Sequence, residues 1–266
     1  MEKRIVTYTG DLIAMKETQL SKRLQYVADF ITPEYILADI GTDHGFVPIY
    51  QVTHRGTPKA YAMDINKGPL ERADEHIAQS GLVDKIETRL SDGMHKLNKG
   101  EAESILIAGM GGALMVKILT EGAHALEDAK ELILSPHTEA DLVRCFIRDS
   151  KFVIDKEGMV YDAGKYYVVI HARKADENEL HKMYAIDGID EDNRDYQHAK
   201  DIWKSYIRFG KLLIQEKSDV FIEFLTKEIN TYKNILAGLE NNKTEAGIKR
   251  RQEVESLINL AELAKP

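Results

Sequence analysis

The sequence predicts an α/β protein: a doubly wound, mostly parallel sheet that ends in an antiparallel hairpin and is followed by helices. Three observations lead to this fold class. Short apolar runs alternate with helix-like amphipathic segments through the first half of the chain. Further apolar stretches then flank a glycine-containing turn. Beyond residue 193, apolar residues recur every three or four positions, which is the period of packed helices.

Five apolar runs are predicted as parallel strands, because helical patterns lie between them and parallel strands need crossover connections. The runs lie at 36–40, 60–65, 86–90, 104–108 and 132–134. The amphipathic segments lie near 45–55, 68–80, 112–122 and 138–150. Runs at 152–154, 159–161 and 166–170 predict the hairpin, with its turn at 162–164. By fold-level analogy, a sheet that ends this way is typical of methyltransferases, whereas dehydrogenase sheets are all parallel.

The last third of the chain is predicted as a helical domain. We expect a sheet domain at 1–175 and a helical domain at 176–266 that starts with an acidic linker. Stripes of apolar residues indicate long, antiparallel, coiled-coil-like helices. The stripes consist of Ile202, Tyr206, Phe209, Leu213, then Phe221, Leu225, Ile229, Tyr232, Leu236, Leu239, and finally Val254, Leu257, Ile258, Ala261. Thr244 is the expected N-cap of the third helix.

The charge distribution leaves a nucleic-acid partner open despite a net charge of −8. Residues 176–199 carry eight acids against two bases, whereas residues 200–266 carry twelve bases against ten acids. The single cysteine, Cys145, excludes an internal disulfide and favours a reducing, cytoplasmic location. No apolar run approaches the roughly 20 residues that a membrane helix needs. The histidines show no metal-ligand spacing, so we expect no metal site, and we expect a monomer.

The strongest motif is Ala-Asp-Ile-Gly-Thr-Asp-His-Gly at 38–45, between a predicted strand and a predicted helix. Gly41 and Gly45 allow a tight turn and a close approach of a ligand to the backbone. The dinucleotide fingerprint is absent, because its second glycine is replaced by Asp43, which would repel a pyrophosphate. S-adenosylmethionine has no phosphate and carries a cationic sulfonium and amino group, which suit Asp39 and Asp43. The alternative is an aspartate that only caps the helix.

Two further strand ends extend this expected cofactor site. Asp64 follows Gly41 by 23 positions at the end of the second strand, where an acid typically binds ribose hydroxyls. The third strand ends at Ser91-Asp92-Gly93, and Asp92 is placed to accept from the adenine amino group of the cofactor, unless it only forms a turn. The complete expected cofactor set is Asp39, Gly41, Thr42, Asp43, His44, Gly45, Asp64, Ile65, Asn66, Ser91, Asp92, Gly93 and Gly109.

The fourth predicted strand ends at Ala-Gly-Met-Gly-Gly, residues 108–112. Three glycines in this short stretch leave mainly backbone facing the crevice, so a flat base can slide close to the donor methyl. The alternative is a loop without a role. Because this position lies at the switch-point edge of the predicted sheet, where ligands bind in such folds, we favour a functional interpretation.

Taken together, these motifs resemble the bacterial TrmK family of tRNA adenine-N1-methyltransferases that act at tRNA position 22. The resemblance rests on Leu-Ser-Lys-Arg-Leu at 20–24, on 38–45, on 91–93 and on 107–114. It implies a Rossmann-like class I methyltransferase domain, an appended antiparallel helical domain, S-adenosylmethionine as cofactor and tRNA as partner. The chain departs from the family at 134–137, where Leu-Ser-Pro-His replaces the usual Leu-Gln-Pro-Asn, so the resemblance assigns no role to His137.

Methylation at adenine N1 needs little from the protein beyond positioning and electrostatics. The N1 lone pair attacks the sulfonium methyl in line, and no general base is strictly required. We expect Asp43 to stabilise the positive charge that develops on the base, and His44 to orient it or merely to cap the helix. Gly109 and Met110 are expected to accept from the adenine amino group through their carbonyl oxygens. The aspartate/asparagine-Pro-Pro-aromatic motif of exocyclic amino methyltransferases is absent, which favours a ring nitrogen.

Five basic residues are candidates for RNA contact: Lys22, Arg23, Lys204, Arg208 and Lys211. For any single one, a solvated helix face is the simpler interpretation. We expect the target base to be flipped out of its helix, because N1 is buried in a base pair. Three alternatives stay open: a methyltransferase of another RNA, of a small molecule or of a protein; a catalytically silent RNA-binding protein with this fold; and, disfavoured by Asp43, a dehydrogenase.

Overall fold

The computed structural model describes residues 20–176, 178–179 and 194–265. Its seven strands are β1 (Leu37–Ile40), β2 (Ala60–Asp64), β3 (Ile86–Leu90), β4 (Ser104–Ala108), β5 (Glu131–Ser135), β6 (Phe152–Asp162) and β7 (Lys165–Lys174). They form one sheet in the order β3-β2-β1-β4-β5-β7-β6. The first five strands are parallel, and β7 runs antiparallel to β5 and β6. The predicted parallel sheet and its terminal hairpin are confirmed.

Helices cover both faces of this sheet. They are α1 (Lys22–Ala28), α2 (Phe46–Tyr50), α3 (Lys67–Gln79), α4 (Gly112–Glu121), α5 (Ala123–Leu126), α6 (Ala140–Arg148), α7 (Arg194–Phe209), α8 (Lys211–Glu216), α9 (Asp219–Gly238) and α10 (Glu245–Ala264). The helix predicted near 45–55 is α2 followed by a π-helical turn at Gln51–Arg55. The other amphipathic segments became helices within a few residues of their predicted bounds, as is usual for helix ends.

Burial on both faces explains why the central strands are continuously apolar. Ile105 and Ile107 of β4 belong to one apolar cluster, which contains residues of α4, α6 and the C-terminal helices. Leu106 lies between them in sequence and belongs to a second cluster, which contains residues of α1, α2 and α3. Successive side chains of a strand point to opposite faces, so the two clusters lie on the two sides of the sheet.

The hairpin of β6 and β7 is longer than the short apolar runs indicated. Leu134 of β5 pairs with Ile170 of β7, so the part of β7 that precedes Ile170 extends beyond the end of β5. The turn between the strands is Ala163-Gly164, and both residues have positive φ, 47° and 83°. This overhanging end of the hairpin therefore stands beside the carboxyl ends of the parallel strands.

The C-terminal helices differ from the prediction at one point. The stripe that runs from Ile202 to Leu213 is not one helix, because Gly210, with φ of +95°, separates α7 from α8. The cap is as predicted: the Thr244 hydroxyl accepts from the Gly247 amide at 3.1 Å. Much of the predicted acidic linker lies outside the described residues, and the boundary between 175 and 176 stays a prediction.

A buried ion pair attaches the end of α7, next to Gly210, to the sheet. Arg144 of α6 donates from Nε to Glu157 of β6 at 2.7 Å, and both side chains are at most 3% exposed. Arg144 also donates to the carbonyl oxygens of Ile207 and Arg208 at 3.1 and 3.0 Å. A Cβ on Gly210 would lie 2.7 Å from both Glu157 carboxylate oxygens, so only glycine fits there.

A second polar network lies at the amino end of β5 and connects this strand to β7 and β6. The buried Glu131 accepts from the Thr32 hydroxyl at 2.6 Å and contacts His171 Nε2 at 3.0 Å. His171 Nδ1 contacts Asp155 at 2.5 Å. Burial alone would lower the pKa of His171, but the hydrogen bonds with Asp155 and Glu131 outweigh burial and raise the pKa to about 9. His171 is therefore charged at neutral pH.

We expect the substitution His171→Gln to destabilise the fold in a pH-dependent way. The folded pKa of about 9 exceeds the ordinary 6.5, so the charged histidine contributes its full stability below pH 6.5 and loses it as pH rises to 9. Its contribution below pH 6.5 is about 3 kcal/mol. Urea denaturation across this range measures it, with His54→Gln, an exposed histidine, as the control. The same pH slope in both variants would contradict the assignment.

Candidate active site

A crevice lies at the carboxyl ends of β1, β2 and β4. Its first part is a cavity of about 360 Å³ that Asp39, Asp43, Asp64 and Gly109 line, together with other residues. Its second part is a cavity of about 130 Å³ that Asp64, Ile65 and the 91–93 turn line. Gly41 and Asp64 line both cavities, so the two parts adjoin. The strand ends predicted to form one site are therefore brought together.

The glycine turn after β1 has the left-handed backbone that its sequence requires. Gly41 and Gly45 have φ of +77° and +70°, and the intervening His44 has φ of +61°. A Cβ on Gly45 would lie 3.3 Å from the Cβ of Ala73, so glycine permits α3 to pack against the turn. The amides of Gly41 and Thr42 donate to the Met63 carbonyl oxygen at 2.7 and 2.9 Å. These two amides fix the turn to β2.

Asp39 is the buried acid of the crevice. Its side chain accepts from the Thr42 hydroxyl at 2.7 Å, and the residue is 6% exposed. Burial raises the pKa of Asp39 to about 7; the Thr42 hydrogen bond opposes the rise, and the nearby carboxylates of Asp43 and Asp64 add to it. A cation bound in the crevice would stabilise the charged form of Asp39.

Asp43 and His44 occupy the rim. The Asp43 carboxylate lies 3.1 Å from His44 Nε2, and the Asp43 side chain is 70% exposed. The His44 ring stacks against Phe46 and His76 at centroid distances of 5.4 and 5.7 Å. His76 Nδ1 lies 3.0 Å from the His44 carbonyl oxygen. The stack holds the strained His44 in place, and Asp43 faces both solvent and the crevice.

The second cavity is lined by the residues expected around a nucleoside. Asp64 Oδ1 accepts from the Asn66 amide at 2.6 Å, which orients the carboxylate at the junction of the two cavities. Ile65 is 58% exposed, an unusual position for a large apolar side chain and one suited to cover a flat ring. Ser91 is buried and accepts from the Lys96 amide at 3.2 Å, whereas Asp92 is exposed. Ser91 therefore supports the loop, and Asp92 is free to face a ligand.

Gly109 and Met110 form the other side of the crevice. Gly109 has φ of +83° and is exposed. The Met110 side chain lies over Gly41, where a Cβ on Gly41 would collide with it. The Met110 carbonyl oxygen accepts from the His137 amide at 2.8 Å. One lone pair of the expected Met110 acceptor is therefore already in use, which makes Gly109 the better placed of the two carbonyls.

The sequence left His137 without a role, but the structure places it in the crevice. Arg23 Nη1 lies 3.0 Å from His137 Nε2, and its guanidinium lies 5.1 Å from the centre of the Tyr167 ring. The His137 and Tyr167 rings are 5.4 Å apart. The Arg23 amide donates to Asp162 at 2.9 Å, which attaches α1 to the hairpin. No sequence pattern links α1, β5 and β7, so only the tertiary fold reveals this cluster.

The five basic candidates for RNA contact do not form one group. Arg23 lines the crevice, and the exposed Lys22 is its neighbour in α1. Arg208 pairs with Asp141 at 3.1 Å beside a separate cavity of about 360 Å³ that His137 also lines. Lys204 pairs with Asp201 of its own helix at 3.2 Å, and Lys211 lies 6.0 Å from the Tyr206 ring centre. Arg23 thus lines the crevice itself, and Arg208 lines a second cavity that shares His137 with it.

Two negative findings concern the described part of the chain. No three histidine, cysteine, aspartate or glutamate side chains within residues 20–176, 178–179 and 194–265 converge as a metal site would require. Among the same residues, every helix is too short or too polar to cross a membrane.

Comparisons with known proteins cover nearly the whole chain. The family profile described as "Methyltransferase domain" matches residues 20–170. A tRNA (adenine(22)-N(1))-methyltransferase of Bacillus subtilis (strain 168) is 33% identical over 257 residues, which cover 94% of this chain and 98% of that protein. The crystal structure of the B. subtilis tRNA methyltransferase TrmK has a TM-score of 0.80 and 31% identity, and the match covers 94% of this chain and 100% of that one.

A solved structure with a bound ligand is similar as well. The Streptococcus pneumoniae protein Sp1610, in complex with S-adenosyl-L-methionine, has a TM-score of 0.74 and 29% identity to this chain. The match covers 92% of this chain and 99% of Sp1610. Because the matches extend over 90% of the chain, they include both the sheet and the C-terminal helices.

Proposed function

Because the chain belongs to the TrmK family of tRNA (adenine(22)-N1)-methyltransferases, we propose that it transfers a methyl group from S-adenosylmethionine to N1 of adenine 22 in tRNA. The observation that carries this proposal is the group of acidic side chains around the glycine turn in the crevice. It joins a buried carboxylate, Asp39, to a left-handed glycine turn and to a second carboxylate, Asp64. A cationic donor without phosphates fits such a crevice.

In this proposal, each of the two cavities holds a different part of S-adenosylmethionine. Asp64, at their junction, suits the ribose hydroxyls, because a carboxylate accepts two hydrogen bonds. Ile65 and Asp92 then face the adenine in the smaller cavity. The larger cavity holds the methionine part, where Asp39 and Asp43 offset its positive charge. Together the two cavities are large enough for a drug-sized ligand, as a cofactor site requires.

In this reaction the protein has to position adenine N1 against the donor methyl and to stabilise the positive charge that develops on the base. S-adenosylmethionine supplies a methyl on a cationic sulfur, and the electron pair of the broken bond stays on that sulfur. The new bond forms from the lone pair of adenine N1, so positive charge moves onto the base. Gly109 leaves room for the base at the end of β4, and its carbonyl oxygen is our candidate acceptor for the amino group. Asp43 at the rim opposes the charge that develops on the ring.

The candidate RNA contacts around the crevice belong to two helices. Arg23 and Lys22 belong to α1, which is attached to the hairpin, and Arg208 belongs to the end of α7. Cationic side chains at these places would contact phosphates that flank the target nucleotide, since phosphates provide most of the affinity for RNA. We propose Lys204 and Lys211 as peripheral contacts, because neither lines the crevice or the cavity that contains Arg208.

Mass-spectrometric mapping of methylated adenosines tests the proposed function directly. Purified protein is incubated with labelled S-adenosylmethionine and unmodified tRNA, and with free adenosine and a protein extract in parallel. The proposal expects 1-methyladenosine at position 22 in tRNA and no transfer to the other two. Donor binding without transfer to any of them would favour a silent RNA-binding protein. Transfer to free adenosine or protein alone would favour another methyltransferase class.

Donor affinity is expected to rise with pH because of Asp39. Its pKa of about 7 in the free protein means that the carboxyl group is mostly protonated at pH 5.5 and must lose a proton to bind a cation. The dissociation constant should therefore fall about 20-fold between about pH 5.5 and 7.5. Isothermal calorimetry measures both the affinity and the released proton, since the heat then depends on the buffer.

The matched control is Asp39→Asn, which keeps the shape and the hydrogen bond from Thr42 but has no proton to lose. Its affinity for the donor should be weaker and nearly independent of pH over the same range. An equal pH slope in the wild type and in Asp39→Asn would assign the dependence to another group.

A further inference from the structure

The Arg23 guanidinium occupies a slot at one side of the crevice. One side of the slot is the Tyr167 ring, 5.1 Å from the guanidinium carbon. Its end is His137, whose Nε2 lies 3.0 Å from Arg23 Nη1. Its floor is the main chain of Gly109, where a Cβ would lie 3.7 Å from Arg23 Nη1 and 4.0 Å from His137 Nε2. A planar cation with N–H donors therefore occupies the space between the Tyr167 ring, His137 and the end of β4.

The contact between Arg23 and His137 fixes the state of the imidazole. Guanidinium groups only donate hydrogen bonds, so His137 Nε2 must be the acceptor and the ring proton must be on Nδ1. The ring is therefore neutral. Burial, together with the positive charges of Arg23 and Lys165, lowers the pKa of His137, which agrees with this state. The slot thus presents an unprotonated nitrogen acceptor to a donor beside Gly109.

We infer that this slot receives the target adenine, and that His137 Nε2 accepts a hydrogen bond from the 6-amino group of the base. This inference rests on the proposed function. An adenine is flat like the guanidinium, stacks on an aromatic ring in the same way and carries N–H donors at position 6. Guanine and hypoxanthine have an oxygen at that position, which would face the His137 lone pair and be rejected.

In the free protein, Arg23 occupies the position that we propose for the base. It shields His137, Tyr167 and the bare Gly109 backbone while no base is present, and it must leave when the base enters because both need the same space. Once displaced, Arg23 remains at the mouth of the crevice, where a phosphate next to the flipped nucleotide offers a new partner. The same residue thus links RNA contact to the opening of the slot.

The test compares two substrate tRNAs that differ only at the target nucleotide. One carries adenosine, and the other carries purine riboside, which lacks the 6-amino group but keeps N1. The measured quantity is kcat/KM with the adenosine tRNA divided by kcat/KM with the purine riboside tRNA, determined for each enzyme. Any difference in the intrinsic nucleophilicity of N1 is common to all enzymes, so it cancels when ratios are compared between variants.

The ratio should fall about tenfold in His137→Leu relative to the wild type. The substitution removes the hydrogen bond from the 6-amino group of adenosine, and purine riboside has no such group to lose a bond. The ratio should be largely kept in His137→Gln, whose amide oxygen accepts, and unchanged in the exposed control His54→Leu. His137→Phe repeats the measurement if His137→Leu fails to bind the donor. An equal ratio in the wild type and in His137→Leu or His137→Phe overturns the inference. Absent methylation by the wild type would instead overturn the proposed function.

Discussion

Replacing Arg144 by methionine is expected to lower the free energy of unfolding by about 3–5 kcal/mol, because it leaves a buried carboxylate without its partner. Glu157 is 1% exposed in its side chain, and Arg144 contacts it at 2.7 Å. The same substitution removes the donors to the carbonyl oxygens of Ile207 and Arg208. Chemical denaturation measures the loss, and limited proteolysis should show earlier cleavage after α7.

Two variants make this test specific. Arg148→Met lies one turn later in α6, where the arginine pairs with its exposed neighbour Asp149, and it should cost less than about 1 kcal/mol. The double variant Arg144→Met with Glu157→Leu should recover much of the stability, since neither charge then remains buried alone. A loss below about 1 kcal/mol in Arg144→Met would show that the ion pair does not hold the helices to the sheet.

The second large effect concerns catalysis. Asp43→Ala is expected to leave the fold intact and to reduce single-turnover methylation of tRNA about 100-fold at saturating donor. The carboxylate is 70% exposed, and its described contact is with the adjacent His44, so little packing is lost. In the proposed function, however, its negative charge at the rim lies beside the base that becomes cationic. Rapid quench with labelled donor measures the chemical step apart from product release.

Asp43→Asn separates charge from shape. If charge matters, the asparagine variant should be nearly as slow as the alanine variant, because the amide keeps a hydrogen bond to His44 but carries no charge. The exposed Asp84→Ala serves as the control for general loss of negative charge, and its rate should equal that of the wild type. Single-turnover rates that do not change in Asp43→Ala would remove Asp43 from the catalytic role.

The sequence predicted those elements of the fold whose local apolar pattern matches their burial in the tertiary structure. Residues 104–108 are continuously apolar because both faces of β4 are buried, and this pattern predicted a parallel strand without further information. The break at Gly210 was missed for the opposite reason. Gly210 is required there because a Cβ would collide with the carboxylate of Glu157, 53 positions earlier in the chain. No window around Gly210 contains that information.

The site was predictable to the same extent. Gly41, Asp64 and Asp92 end consecutive strands, and parallel strands bring their carboxyl ends to one edge, so their convergence in two adjoining cavities was foreseeable. His137 was not, although it lies at the end of β5. Its partners Arg23 and Tyr167 come from a helix before the sheet and from the antiparallel β7, which no strand-end rule places beside it.

The β6–β7 hairpin links the C-terminal helices to the slot through a single strand. Glu157, which anchors the C-terminal helices, and Val160, which pairs with Tyr167 of the slot, belong to the same strand. Three residues of extended chain span roughly 10 Å, and hydrogen bonds to β7 stiffen this length. The C-terminal helices and the Tyr167 side of the slot therefore cannot move apart unless the hydrogen-bonded ladder between β6 and β7 opens.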